Sequence, residues 1–285
     1  MAKLGLLVCG NSGIDYIDHP YDIPVIRSIL FVGDKEYSDY VDITADEFYQ
    51  LLEENPELTP STAQAATGVI LKQYEEMASK GYDQLLVITI SSKLSGTYEG
   101  ARLAAKLIDD VDVQVFDSRS VSYPEARMVL DAAKMVKQGK NIDEIWKHLE
   151  FLRDNHRMLF SVNTLRYLVK NGRLSGASGF VGGMLKIKPM LEVTKDGRVE
   201  AIEKIRTLSK ATKRLVDKFL EELGDMKAEV FLIQANAEER AKQVIEEIIK
   251  VRPDLDNINI YPLTPVVGAH AGPGVVGVGY IKDSQ

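Results

Sequence analysis

Short apolar runs and helix-period patterns alternate along the first 140 residues. Runs at 4–9, 26–31, 84–90 and 113–116 read as strands. Residues 45–54, 68–79, 100–108 and 125–137 carry the spacing of amphipathic helices. This order predicts an α/β fold with a largely parallel sheet. Two helix starts are marked by side chains as well. Thr44 stands three residues before Glu47, and Asn141 three before Glu144, so each pair satisfies N–H groups that a helix start leaves unpaired.

Beyond about residue 160 the rhythm changes. Segments 187–194 and 198–206 flank Lys195-Asp196-Gly197, and an Asp-Gly pair suits the positive backbone angles of a tight hairpin. A helix is expected near 208–223, a strand over 228–234, a second helix over 238–250, and strands near 258–263 and 275–281. At 285 residues the chain exceeds the usual size of one compact domain. The expected division is an N-terminal α/β domain over 1–160 and a C-terminal α/β domain over 161–285 that carries the hairpin. No Pro/Gly/Ser linker marks the boundary.

Composition narrows the chemistry. With 35 basic against 42 acidic side chains the net charge is −7, which argues against a nucleic-acid partner. Cys9 is the only cysteine, so no intramolecular disulfide and no Cys-x-x-Cys redox pair can form. His19, His148 and His156 show no metal-ligand spacing with His270, and no metal site is expected. The Gly-x-Gly-x-x-Gly and Gly-x4-Gly-Lys-Ser/Thr patterns are absent, so neither a nucleotide nor any other cofactor is expected. No run approaches the roughly 18 apolar residues of a membrane span. A soluble cytoplasmic protein without stable membrane insertion is the expectation.

Several polar segments stand out against this background. Ser91-Ser92-Lys93-Leu94-Ser95-Gly96-Thr97 follows an apolar strand and opens onto a helix, a setting in which hydroxyls and free N–H groups converge on a small anion. Ser61 or Thr62, in Thr59-Pro60-Ser61-Thr62-Ala63-Gln64, is placed to cap the helix that follows. Gly268-Ala269-His270-Ala271-Gly272-Pro273-Gly274 reads as a Gly-rich loop around one imidazole. Gly172 is placed to end a short helix over 165–170, beside Arg173, a permanent planar cation.

Taken together, P-S-T-A-Q at 60–64, I-S-S-K-L-S-G-T-Y at 90–98, D-S-R at 117–119, N-G-R-L-S at 171–175, K-P-M-L at 188–191 and G-A-H-A-G-P-G at 268–274 resemble the bacterial DegV family in order and spacing. The resemblance covers nearly the whole chain. It implies two α/β domains with a lipid-binding cleft or tunnel between them. It also implies a non-catalytic carrier of a long-chain fatty acid, which presents the carboxylate to a separate fatty acid kinase for acyl phosphate formation and phospholipid synthesis. By position, Thr62 and Ser95 resemble the hydroxyls that hold the carboxylate, His270 the histidine close to it, and Arg173 the arginine near the mouth of the site. Arg206, expected on the strand after the hairpin, is a candidate for kinase docking. The chain departs from the family pattern at Gly10-Asn11-Ser12, where Thr-Asp-Ser is usual, and at Ala63 and Ala271, where a Ser and a Thr are common.

Transfer energetics agree with a lipid ligand. At about 0.8 kcal/mol per methylene, a tail of about fifteen offers roughly 12 kcal/mol before costs, while the carboxylate must recover its lost hydration from protein donors. Segments 180–185 and 187–191 are the expected tunnel walls. Two other readings share these residues. One is an acyl hydrolase with Ser95 as nucleophile and His270 as base, although no Gly-x-Ser-x-Gly elbow and no third triad group is evident. The other is a binder of a different small anionic metabolite, which needs no long apolar cavity.

Overall fold

The structure, a computed structural model, describes residues 3–176 and 187–282. The first part of the chain runs β1 (Leu4–Cys9), β2 (Val25–Ile26), β3 (Ile29–Val32), β4 (Lys35–Ser38), α1 (Ala45–Glu54), β5 (Ser61–Ala63), α2 (Thr67–Ser79), β6 (Gln84–Thr89), α3 (Thr97–Ala105), β7 (Asp112–Asp117), α4 (Tyr123–Lys137) and α5 (Ile142–Asp154). The remainder runs β8 (His156–Ser161), α6 (Arg166–Lys170), β9 (Met190–Val193), β10 (Val199–Glu203), α7 (Leu208–Leu223), β11 (Ala228–Ala235), α8 (Glu238–Val251), β12 (Asn259–Pro262), α9 (Pro265–Ala271) and β13 (Val275–Lys282). Thr44 and Asn141 form the expected capping boxes at α1 and α5.

These strands make three sheets. One is parallel, in the order β2-β1-β6-β7; one is mixed, in the order β10-β9-β8-β13-β11-β12; a small antiparallel sheet has the order β4-β3-β5. In the parallel sheet alternate residues point to opposite faces. Leu7, Leu85 and Val87 pack with Ile70, Tyr74 and Ala101 of α2 and α3. Leu6, Val8, Leu86 and Ile88 instead join the inner cluster, which includes Val129 of α4, Leu149 of α5, and Phe160 and Ile233 of the mixed sheet. On the far face of the mixed sheet, Leu159, Leu232 and Val278 pack against Leu215 and Phe219 of α7 and Val244 and Ile248 of α8. Burial on both faces explains why these strands read as continuous apolar runs.

Four local expectations are corrected. The run at 26–31 is broken between β2 and β3, because Arg27 turns away to a bidentate pair with Asp15 at 2.5 and 2.7 Å and the Ser28 carbonyl accepts from the Asp39 N–H. Ser61 and Thr62 cap no helix: they lie on β5, paired with Phe31 and Leu30, and α2 starts later behind Ala66 without a side-chain cap. In the hairpin only Gly197 has a positive φ, +85°, and Asp196 does not, so the turn relies on one glycine rather than on an Asp-Gly pair. The segment around His270 is helical, because Thr264 accepts from the Val267 N–H and Pro265 supplies a preset first turn, and these start signals outweigh the cost of Gly268. Gly172 meets its expectation, with φ +69° just past the end of α6.

Helix α9 is held close to α1. A Cβ at Gly268 would overlap the Tyr49 ring, whose hydroxyl donates to the Leu263 carbonyl at 3.0 Å. Gly268→Ala is therefore expected to cost about 1–3 kcal/mol through overpacking, read from denaturant unfolding midpoints. An unchanged midpoint would show that α9 moves away freely.

Candidate functional site

The inner apolar layer is not filled. A cavity of about 860 Å³, counted out to its mouth, lies there with walls that include Met158, Phe160, Ile233, Val266 and Val275. Val193 and Val199, on the two arms of the hairpin, line it too. Its polar residues come from segments far apart in the chain: Asn11, Ser28, Thr62, Gln64, Ser95, Arg173 and His270.

Each is delivered by a definable local structure. Pairing of Leu30 with Thr62 fixes Thr62 in the small sheet. The last turn of α9 brings His270 to it, and Thr62 Oγ1 and His270 Nε2 lie 2.8 Å apart. Ser95 is on the loop between β6 and α3. Its Oγ lies 2.8 Å from Thr97 Oγ1 and accepts from the Thr97 N–H at 3.2 Å. Arg173 follows the Gly172 turn and donates from Nε to the Leu94 carbonyl at 3.1 Å and from a terminal nitrogen to the Asn171 carbonyl. The same wall is tied to the hairpin, since Ser91 Oγ donates to the Gly197 carbonyl at 2.7 Å.

The electrostatics favour a neutral imidazole. Burial, and then the positive charge of Arg173, push the His270 pKa down from 6.5 to about 4. His270 Nδ1 is buried without a partner among the described residues. If His270 Nε2 donates its proton to Thr62 Oγ1, the Thr62 hydroxyl hydrogen is left to point at an anion in the cavity. No carboxylate pairs with Arg173 among the described residues, so its charge also acts on whatever occupies the cavity.

Thr62, Ser95, Arg173 and His270 thus line one cavity. Arg206 does not: it is exposed, beyond the end of β10 in the bend before α7, and not on the strand where it was expected. Of the expected tunnel walls, 180–185 lies outside the described residues. In 187–191, Leu191 packs into the inner cluster and Met190 into the one beneath α7 and α8, and neither lines the cavity. Three polar lining residues went unassigned by sequence reasoning. Gln64 stands in the P-S-T-A-Q segment and Asn11 in the departing first loop, so both carried a signal. Ser28 carried none.

Among the described residues no helix is long and apolar enough to cross a membrane, and no group of three or more His, Cys, Asp or Glu side chains is placed to hold a metal.

A pH dependence follows from His270. The unfolded value lies near 6.5 and the folded one near 4, so between these limits the unfolded chain binds the extra proton and stability falls as the pH falls. Asp39 opposes this. Burial raises its folded value from 3.8 to about 7, so its contribution is present at low pH and lost as the pH rises through 7. Comparison with His270→Asn separates the two. The variant is expected to lack roughly 3 kcal/mol of the loss between pH 6.5 and 4, read from denaturant midpoints. An identical slope in both proteins would mean that His270 is not held neutral.

Comparison with known proteins identifies the family. The family model described as an uncharacterised protein of the DegV family matches residues 15–283. A DegV domain-containing protein of Clostridium acetobutylicum is 31% identical over 283 residues, covering 99% of this chain and 100% of the relative. Among solved structures, a fatty acid binding DegV family protein of Streptococcus agalactiae superposes with a TM-score of 0.89 at 25% identity, covering both chains completely. DegV of Bacillus subtilis, described as a fatty acid binding protein, gives 0.85 at 29% identity over 99% of this chain and 100% of its own. Matched by the family model over most of its length, and by relatives of the same fold and length, the chain belongs to the DegV family.

Proposed function

We propose that the protein is a non-catalytic carrier that binds a long-chain fatty acid and presents its carboxylate to a separate fatty acid kinase, which makes the acyl phosphate. In this reading the carboxylate meets Thr62, Ser95, His270 and Arg173, and the tail lies among the apolar side chains of the inner layer. The two parts of the chain, 1–160 and 161–285, are read as domains that close on the tail. The observation that carries the reading is the hydrogen-bonded Thr62–His270 pair at the wall of an otherwise largely apolar cavity. Relatives of the same fold and length described as fatty acid binding support it.

The parts divide the work. The tail supplies affinity through burial of methylenes, and the polar residues replace the water that the carboxylate gives up. Arg173 contributes charge, and Thr62 a directed donor. A hydrolase gains no comparable support, because Ser95 is bonded to Thr97 rather than to His270. Arg206, exposed and away from the cavity, fits the docking role, for which a separate kinase needs a surface cation and no contact with the tail.

Organic extraction of purified protein followed by mass spectrometry is expected to release a long-chain fatty acid. Thr62→Val and His270→Ala are each expected to weaken binding about tenfold or more while leaving the thermal unfolding transition cooperative. Protein that is lipid-free from several hosts and does not bind such acids in titration would sink the carrier reading. For the kinase step, Arg206→Glu is expected to leave acid affinity unchanged and to lower acyl phosphate formation at least tenfold when the kinase is added. Equal rates for both proteins would remove Arg206 from the docking surface.

A further inference from the structure

Of the polar cavity-lining side chains with no part in that scheme, two are buried, whereas Gln64 is exposed. Asn11 follows β1 and Ser28 lies between β2 and β3; they are 8% and 6% exposed, and both line the cavity. Asn11 Oδ1 is buried without a partner. Neither Asn11 Nδ2 nor Ser28 Oγ has a hydrogen bond among the described residues, and both residues line the cavity. Thr62 and Ser95 differ in this respect, since His270 and Thr97 already engage them.

The sheet registers place this pair. Both follow the end of the β1–β2 pairing, in which Cys9 lies beside Ile26: Asn11 stands in a 3-10 turn two residues after Cys9, and Ser28 two residues after Ile26. In the small sheet Ile29 faces Ala63 and Leu30 faces Thr62. Ser28 stands one residue before β3, where its carbonyl accepts from the Asp39 N–H, and two residues from Leu30, the partner of Thr62, so Ser28 and Leu30 share a face. With a carboxylate on Thr62, the carbons that follow it lie in the cavity that Ser28 and Asn11 also line.

Plain methylenes at that point would strip water from both side chains and return no hydrogen bond. A hydroxyl there would accept from Asn11 Nδ2 and donate to Ser28 Oγ. We propose that Asn11 and Ser28 form a specificity subsite for a second ligand oxygen, a hydroxyl on the second or third carbon of a long-chain acid. The proposal rests on the carrier reading and adds the class of acid that the site prefers. A pocket built to bond a substrate hydroxyl discriminates against the analogue that lacks it, because its own polar groups are then left unpaired.

The test is competition binding of palmitate, 2-hydroxypalmitate and 3-hydroxypalmitate to the delipidated full chain, as wild type and as Asn11→Ala/Ser28→Ala. The wild type is expected to bind at least one hydroxy acid about tenfold more tightly than palmitate. The double variant is expected to bring that ratio close to one without weakening palmitate. Should it fail to fold, Ser28→Ala removes a single oxygen and carries the same comparison. Palmitate bound as tightly as both hydroxy acids by the wild type would overturn the subsite alone. So would a variant that weakens all three acids equally, which would assign Asn11 and Ser28 to the carboxylate. Binding of none of the three would instead overturn the carrier reading beneath it.

Discussion

One hydrogen bond inside an apolar layer organises part of the cavity's polar lining. Thr62 and His270 are 208 positions apart in the chain and 2.8 Å apart in space. To bring them together, β5 must hold its register on β3 and α9 must seat against α1. Helix α9 has only seven residues, and its start is secured twice, by Thr264 accepting from the Val267 N–H and by Asp39 accepting from the Val266 N–H at 3.4 Å. A short helix is a weak structure by itself. Here its caps and its contact with Tyr49 fix the direction of one imidazole.

The burial that makes the site useful also makes it demanding. In an apolar surrounding a charged imidazole is disfavoured, so His270 is held neutral, and the lasting positive charge near it belongs to the Arg173 guanidinium. Neutral donors and one fixed cation can replace the hydration of a carboxylate over a wide pH range. The same logic applies to Asn11 and Ser28. A polar atom inside such a layer is tolerated when something bonds it, and these two have nothing to bond among the described residues.

The cavity itself opens in the cluster that the inner faces of the two larger sheets share with α4 and α5. Each has one face covered by its own helices, α2 and α3 for the parallel sheet and α7 and α8 for the mixed sheet, and their other faces share the inner cluster. Side chains of the hairpin arms form part of the wall, and the Ser91 and Arg173 bonds to the Gly197 and Leu94 carbonyls tie the loop after β6 to the second half of the chain. These cross-links use backbone carbonyls as acceptors, so they depend on the position of the loops rather than on a matching side chain.

The long elements were legible because burial on one stripe or two faces leaves a periodic record, and capping leaves a local one, as at Thr44 and Asn141. Strand β5 left neither. Three residues of Ser, Thr and Ala behind a proline look like a cap, and only the partner strand shows otherwise. Around His270 the density of Gly and Ala suggested a loop and concealed a helix. Thr62, Ser95, Arg173 and His270 could be named from motifs, yet their bonding partners are side chains and carbonyls that no motif contains. Ser28 had no signal at all, since a lone serine between two strands is ordinary until a cavity opens beside it. The amino-acid order by itself decided the α/β class, most helix and strand positions and the set of candidate polar residues, because propensity, periodicity and capping act over a few neighbours. Tertiary structure alone decided which of those residues meet, that the imidazole is neutral, and where the hollow lies, because burial and long-range pairing depend on segments hundreds of residues apart.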